Sequence, residues 1–189
     1  MVAADPEGAL VYEDESWFVG KAYGGRCWGQ RGRPTWIPAF GPTQGEALYL
    51  SLDLCSAELL WRYAEKTNAV ATTQWLTDLA EAYAAKRYIV VVWDNASWHK
   101  AAAVQLWLRQ YNAAARREGR PVIFLFPLPT YSPWLNPVEA IFNQTKRRVL
   151  FGRNFENPVE RRRTLDTHFA QRNARAKHAH NSMSFESKH

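Results

Sequence analysis

The chain has 189 residues, 47% of them hydrophobic, with nine Trp, eight Tyr and nine Phe, a composition that excludes a disordered polypeptide and suits one domain with a sizeable core. Its net charge of +6 is unevenly placed: residues 1–145 hold 13 Lys/Arg against 14 Asp/Glu, whereas residues 146–189 hold 11 against 4, with four of the five histidines. The longest apolar run, Tyr88 to Trp93, is far too short to span a bilayer, and Asp5 and Glu7 stand where a signal peptide needs basic residues, so the chain reads as soluble and intracellular, with no membrane partner.

Ala9 to Val19 reads as a strand interrupted by Glu13-Asp14-Glu15. A wholly buried strand does not tolerate three carboxylates, so at least one of them must face a polar site or a metal. Glycines at 24, 25, 29 and 32 punctuate a short second strand around Arg26 to Trp28, and Thr35 to Phe40 is another β-prone piece. Glu46 to Leu54 alternates as a further strand with Asp53, a rival acid, at its end. Glu58 to Tyr63 suits either an edge strand or a helical turn. Two cysteines, Cys27 and Cys55, are too few for a disulfide framework and lack zinc spacing, so buried thiols are expected.

Asn68 can cap a helix running to about Lys86, with Leu76, Leu79, Ala80 and Tyr83 as its apolar stripe. Tyr88 to Trp93 then reads as a central strand buried on both faces. Asp94 follows it directly. Sites in open α/β sheets gather beyond the carboxyl ends of strands, although a turn aspartate is an equal alternative there. Ser97 can cap a second helix with Val104, Trp107, Leu108 and Tyr111 buried and Gly119 just past its end. Val122 to Phe126 is a short buried strand.

That strand feeds Leu128-Pro129-Thr130-Tyr131-Ser132-Pro133-Trp134-Leu135-Asn136-Pro137-Val138-Glu139. Pro127, Pro129, Pro133 and Pro137 restrict the backbone of this loop. Asn136 is a good N-cap, Pro137 suits the first helical position, and Glu139 falls third. Glu139 can therefore be a capping-box residue, reaching back to the N–H of residue 136, or a functional acid. Val138, Ile141, Phe142, Thr145 and Val149 form the buried side of this helix, and Lys146, Arg147 and Arg148 crowd its last turns. One more helix is expected from about Pro158 to Ala176, carrying Arg161-Arg162-Arg163, before a frayed end. A basic tail on a near-neutral body points to a polyanion, with nucleic acid first, or to a solvated tail.

The element order gives an α/β fold, a mixed sheet with helices on its faces. Asp14, Asp94 and Glu139 each stand where a strand or stiff loop can bring a carboxylate to one sheet edge. Three such groups repel one another unless a cation neutralises them, and hard oxygen ligands select Mg²⁺ or Mn²⁺. No Walker loop, Gly-x-Ser-x-Gly or Cys/His cluster offers another chemistry, and no small-molecule cofactor is called for.

Asp94-Asn95-Ala96-Ser97-Trp98-His99, followed by Leu128-Pro129-x-Tyr131-Ser132-Pro133-x-Leu135-Asn136-Pro137-x-Glu139, resembles the DDE superfamily endonuclease domain of insertion-sequence transposases, in the bacterial branch related to mariner elements. Glu13-Asp14-Glu15 and Trp28-Gly29-Gln30-Arg31-Gly32 are similar to that family's first acidic strand and its second strand. The resemblance covers about residues 9–150. It implies a ribonuclease-H-like fold and cleavage and strand transfer of double-stranded DNA, at transposon ends and into a target, with two Mg²⁺ or Mn²⁺ ions. Asp14, Asp94 and Glu139 would be the catalytic and metal-binding acids, with Asn95, His99, Tyr131 and Asn136 supporting them. Lys146, Arg147 and Arg148 would contact DNA. The family also implies a homodimer in the bacterial cytoplasm, at the nucleoid. Residues 1–152 are expected to form the catalytic domain and residues 153–189 a basic, partly disordered helix and tail.

Three features depart from the family pattern. The spacing from Asp94 to Glu139 is longer than usual, with the excess expected around Asn112 to Arg120; family members carry an end-reading helix-turn-helix region ahead of the first strand, whereas this sequence begins almost at that strand; and the segment after Asn157 fits no part of the family pattern. A remnant that binds DNA without cutting it, or a stand-alone ribonuclease-H-like nuclease, is the alternative reading.

Overall fold

In the computed structural model, which describes residues 5–23, 29–32, 43–130 and 132–186, the acidic strand β1 (Gly8–Val19) lies at the centre of a mixed five-stranded sheet. On one side β1 pairs antiparallel with β2 (Gly45–Asp53), which pairs antiparallel with β3 (Leu59–Ala64). On the other it runs parallel to β4 (Tyr88–Trp93), which runs parallel to β5 (Val122–Pro127), giving the order β3-β2-β1-β4-β5. Parallel neighbours need long crossovers, and α1 (Ala69–Ala82) and α2 (Ala102–Glu118) supply them. The remaining helices are α3 (Pro137–Thr145), continued by a π-helical turn at Lys146–Leu150, and α4 (Pro158–Glu186).

The side-chain period of two on β1 divides the core. Ala9 and Val11 face α1 and α2 with Tyr49, Trp75, Leu76, Ile89 and Val91. Phe18, with Leu48 and Leu50 of β2, faces Val138, Ile141 and Phe142 of α3 and Leu165 and Phe169 of α4. The three acids therefore emerge from one strand toward two different layers.

Several predicted elements shift. Asn68 does cap α1, its Oδ1 accepting from the Ala71 N–H at 2.9 Å, but the helix ends at Ala82, short of Lys86. There the backbone folds into tight turns, Ala84 to Glu81 and Lys86 to Tyr83, that deliver the chain to β4. Gly119 ends α2 in the left-handed region at φ 67°, as its position predicts. Glu58 to Tyr63 resolves as the edge strand β3. The pieces at Arg26 to Trp28 and Thr35 to Phe40, and Cys27, lie outside the described residues; Cys55 is exposed rather than buried.

Two burial expectations fail for a common reason. α3 packs on β1 and β2, and α4 on β3, so that layer leaves β4 and β5 partly uncovered. Tyr88 and Val90 are thus only half-buried, and Phe124 and Phe126 on the edge strand β5 are 49% and 61% exposed.

α4 extends ten residues beyond the predicted end at Ala176 and is fastened to the sheet. Buried Arg161 donates to Glu46 at 2.6 Å, and Arg162 pairs with the same carboxylate. Asn173 brackets Leu59, accepting from its N–H at 2.7 Å and donating to its C=O at 2.8 Å, which occupies part of the β3 edge. No helix among the described residues is long and apolar enough to cross a membrane.

Candidate active site

Asp14 lies on β1 two residues beyond Tyr12, and Asp94 lies two beyond Val92, the residue that pairs with Tyr12 on β4. Parallel register thus brings the two aspartates level on neighbouring strands, Asp14 midway along β1 and Asp94 just past the end of β4. The third acid comes from α3. Asn136 caps that helix, its Oδ1 accepting from the Val138 N–H at 3.1 Å, while its Nδ2 donates to the backbone carbonyl of Glu13 at 2.9 Å. One buried amide therefore starts the helix and fixes it to the strand beside Asp14. Asp14, Asp94, Asn95, Asn136 and Glu139 line one pocket of about 290 Å³, floored by the loop from Leu128.

The hydrogen bonds leave carboxylate oxygens available in that pocket. Asp14 Oδ1 accepts from the Glu15 N–H at 2.9 Å, and Asp94 Oδ1 from the Ala96 N–H at 2.8 Å. Among the described residues nothing donates to the second oxygen of either aspartate, nor to Glu139. Glu139 makes no reciprocal bond to the N–H of residue 136, so the capping-box alternative does not form. Asn95 braces the loop instead, donating to the Leu128 carbonyl at 2.5 Å.

Burial, reinforced by the charge of Glu15 and then of Asp94 and Glu139, pushes the Asp14 carboxyl up to about 7. Asp94 moves the other way, lowered first by its hydrogen bond from His99. Three carboxylates with free oxygens, one of them raised to about 7 by burial and then by its neighbours, form a donor set that a divalent cation fits. Lys146 stands beside them: its Nζ donates to Ser16 Oγ at 2.8 Å and lies 5.5 Å from the Phe18 ring centre, within the field of Asp14 and Glu139.

The other two acids of β1 face away from this pocket. Glu15 accepts from His99 Nε2 at 3.0 Å and from the Trp98 indole N–H at 2.9 Å, while Glu13 is sealed from solvent and takes no hydrogen bond from the described residues. Burial and then the Glu15 charge drive the Glu13 carboxyl well above the usual range. His99 reaches Asp94 Oδ1 at 3.0 Å through Nδ1 and stacks on Trp93 with ring centres 4.1 Å apart. Burial opposes its proton, but the hydrogen bonds to Asp94 and Glu15 outweigh that and hold the imidazolium up to about 10. Glu13, Glu15 and His99 present ligand atoms within 4.8 Å of one another. With His99 already spanning two carboxylates, the cluster is an internal ion-pair network behind the pocket. Trp98 and His99 are drawn into it through a turn over residues 97–100, so α2 starts at Ala102 and Ser97 does not cap it.

The remaining sequence candidates separate. Asp53 does not line the pocket; its Oδ1 accepts from the N–H groups of Cys55 and Ser56 and makes a turn. Tyr131 lies outside the described residues. Lys146 faces the acids, whereas Arg147 and Arg148 are exposed farther along the same helical run.

A family model described as DDE superfamily endonuclease matches residues 9–160 of the chain. The chain belongs to the DDE superfamily endonucleases. Among solved structures, the Mos1 transposase paired-end complex with the left transposon end is similar at 23% identity and a TM-score of 0.65, covering 89% of this chain and 51% of that one. The Mos1 strand transfer complex is similar at 22% and 0.64, covering 89% and 50%. The catalytic domain of Mos1 mariner transposase is similar at 21% and 0.57, covering 89% and 75%. These likenesses show the shared ribonuclease-H-like fold; the chain spans about half the length of the Mos1 chains in the two DNA complexes. No curated protein matches the sequence. A DDE endonuclease works with divalent metal, in keeping with the oxygen donors of this pocket.

Replacing Asn136 by Ala removes the helix cap and the bond to the Glu13 carbonyl together. It is expected to destabilise the protein by about 1–3 kcal/mol. Urea unfolding monitored by tryptophan fluorescence measures this, and an unchanged midpoint would contradict the role given to Asn136.

Proposed function

We propose that this endonuclease is the catalytic part of a DNA transposase of the insertion-sequence branch, which cleaves phosphodiesters at transposon ends and joins the freed 3′-hydroxyl to target DNA. The observation that carries this reading is the convergence of Asp14, Asp94 and Glu139 on one pocket, each with an oxygen unengaged by the described residues. Residues 1–152 are assigned to the catalytic unit and 153–189 to a basic extension.

Asp14, Asp94 and Glu139 would hold two Mg²⁺ or Mn²⁺ ions, which when bound supply Lewis acidity toward the phosphodiester and toward water. The chain's own groups do the rest. His99 and the Ala96 N–H fix one oxygen of Asp94, the Glu15 N–H fixes one of Asp14, and Asn136 sets the position of α3 from which Glu139 projects. Lys146 meets a non-bridging phosphate oxygen beside the acids. Hydrolysis breaks the bond from phosphorus to the 3′ oxygen, leaving a 3′-hydroxyl and a 5′-phosphate. The similar Mos1 transposase is seen in complex with a transposon end, which supports DNA as the partner, and a homodimer is part of the same proposal.

The test is plasmid nicking in Mg²⁺ or Mn²⁺, with EDTA as the control. Wild type is expected to nick, and Glu139→Gln to be inactive. Full activity in Glu139→Gln would sink the assignment of the third acid. DNA binding that persists in EDTA, with no nicking by the wild type in Mn²⁺, would favour a non-cutting remnant.

A further inference from the structure

The Arg161-Arg162-Arg163 run looks like a single basic patch, but a helix turns about 100° per residue and splits it. Arg161 points inward to Glu46 and Arg162 reaches the same carboxylate, which leaves Arg163 on another side of α4. There it joins a groove of about 620 Å³ between α4 and the end of the α3 run, lined by Arg148, Arg153, Arg163, His168, Gln171 and Arg175. No carboxylate lines this groove, and none of its four arginines makes a salt bridge among the described residues. Buried Glu46 offsets only the arginines outside it.

We infer that this groove is a second DNA-contact surface, distinct from the acidic pocket, that holds the phosphate backbone of duplex DNA. The inference takes DNA from the functional reading above and depends on it for that point only. Arg163, Gln171 and Arg175 all line the groove, spread over about a third of the α4 circumference, and Arg163 to Arg175 spans twelve residues, about 18 Å of helix. That length matches roughly five phosphates of one strand at about 3.4 Å each. The chemistry is that of backbone contact: guanidinium forks with an amide donor among them, and no Phe, Tyr or Trp on which unpaired bases could stack. Four exposed arginines with no carboxylate in the groove's lining also give a positive field that draws a polyanion. That field is felt locally: burial, then Arg172, Arg175 and Arg148, holds His168 below its ordinary value. The groove begins where the helical run carrying Glu139 ends. Arg148 is nine residues past Glu139, about 13 Å along the axis and on a different side of the helical run, so the groove is a surface separate from the acids.

The experiment is fluorescence anisotropy of the full chain with a labelled 30-base-pair duplex in EDTA, over a salt series. Arg153→Gln/Arg163→Gln/Arg175→Gln is expected to lower the slope of log K against log salt by about 2–3, close to 0.9 per lost contact. The exposed α2 set Arg109→Gln/Arg116→Gln/Arg117→Gln, on the other face of the sheet, is expected to leave the slope unchanged. The groove is overturned if both triple variants keep the wild-type slope, if both lose it equally, or if single-stranded RNA or polyglutamate displaces the duplex at equal charge. Nicking separates the two readings. A wild type that never nicks, while the groove variant alone loses DNA binding, removes the nuclease reading and keeps the groove. A wild type that nicks, while the groove variant binds normally, does the reverse.

Discussion

Asp14→Asn is expected to lower metal-dependent nicking by at least about 10³-fold, about 4 kcal/mol of barrier, while making the metal-free protein more stable at pH 8. The two effects have one cause. In the folded chain the Asp14 carboxyl is raised from 3.8 to about 7 by burial and by Glu15, Asp94 and Glu139. The folded state then binds more protons than the unfolded state between those values, so stability falls as pH rises from about 4 through 7. Ionising the group in place costs up to about 4 kcal/mol, the free-energy equivalent of that difference. Asparagine carries no charge and avoids the cost. Thermal unfolding in EDTA at pH 5, 6, 7 and 8 should show wild type falling and Asp14→Asn nearly level. Adding Mn²⁺ should stabilise wild type more at pH 8 than at pH 6, because at pH 6 the ion must first displace a proton, and Asp14→Asn should lose much of that gain. Equal stability of the two proteins at pH 8 in EDTA would sink the argument that the acids crowd one another.

How much of this was legible in the sequence depended on whether the cause was local. Asn136, Pro137 and Glu139 announce a helix start within four residues, and Asp94 follows a β-branched run whose strand character is unmistakable. Both positions could be read because capping and strand patterning act over a few residues. The Glu13-Asp14-Glu15 run showed that some carboxylate must meet a polar partner, and a period of two puts Asp14 on one face and its neighbours on the other. What it could not show is that the partner of Glu15 is His99, 84 residues away, because nothing local links them. Ser97 was misread as a cap for the same reason, since tertiary bonds to Trp98 and His99 hold that segment in a turn. The exposure of β5 was hidden likewise. A hydrophobic strand looks the same whether one face or two will be covered, and the coverage is decided by where α3 and α4 pack. Arg161 illustrates the reverse error, a charged residue in a basic run that is buried because Glu46 awaits it.

His99→Gln is expected to destabilise the protein by about 3–5 kcal/mol at pH 7, as removal of one partner from a buried charge network does. The imidazolium bonds Asp94 and Glu15 at 3.0 Å each, and Glu13 Oε2 lies 3.8 Å away. Trp93 stacks on one face of the ring, where a π-system favours a cation. A neutral amide in its place leaves the Glu15 and Asp94 carboxylates without their counter-ion. The pH dependence has a definite sign. With a folded value near 10 against an ordinary 6.5, the stabilisation from charged His99 is complete below about 6.5 and is lost as pH rises through 10. Wild-type unfolding free energy should therefore decline on the alkaline side, and His99→Gln should lack that decline. The same variant tests whether the network positions Asp94 rather than merely holding the fold. At a temperature where His99→Gln remains folded, Asp94 has lost the bond that fixes Oδ1, so the Mn²⁺ concentration needed for half-maximal nicking should rise. If that concentration and the alkaline decline both match wild type, His99 neither carries the proton nor orients the aspartate.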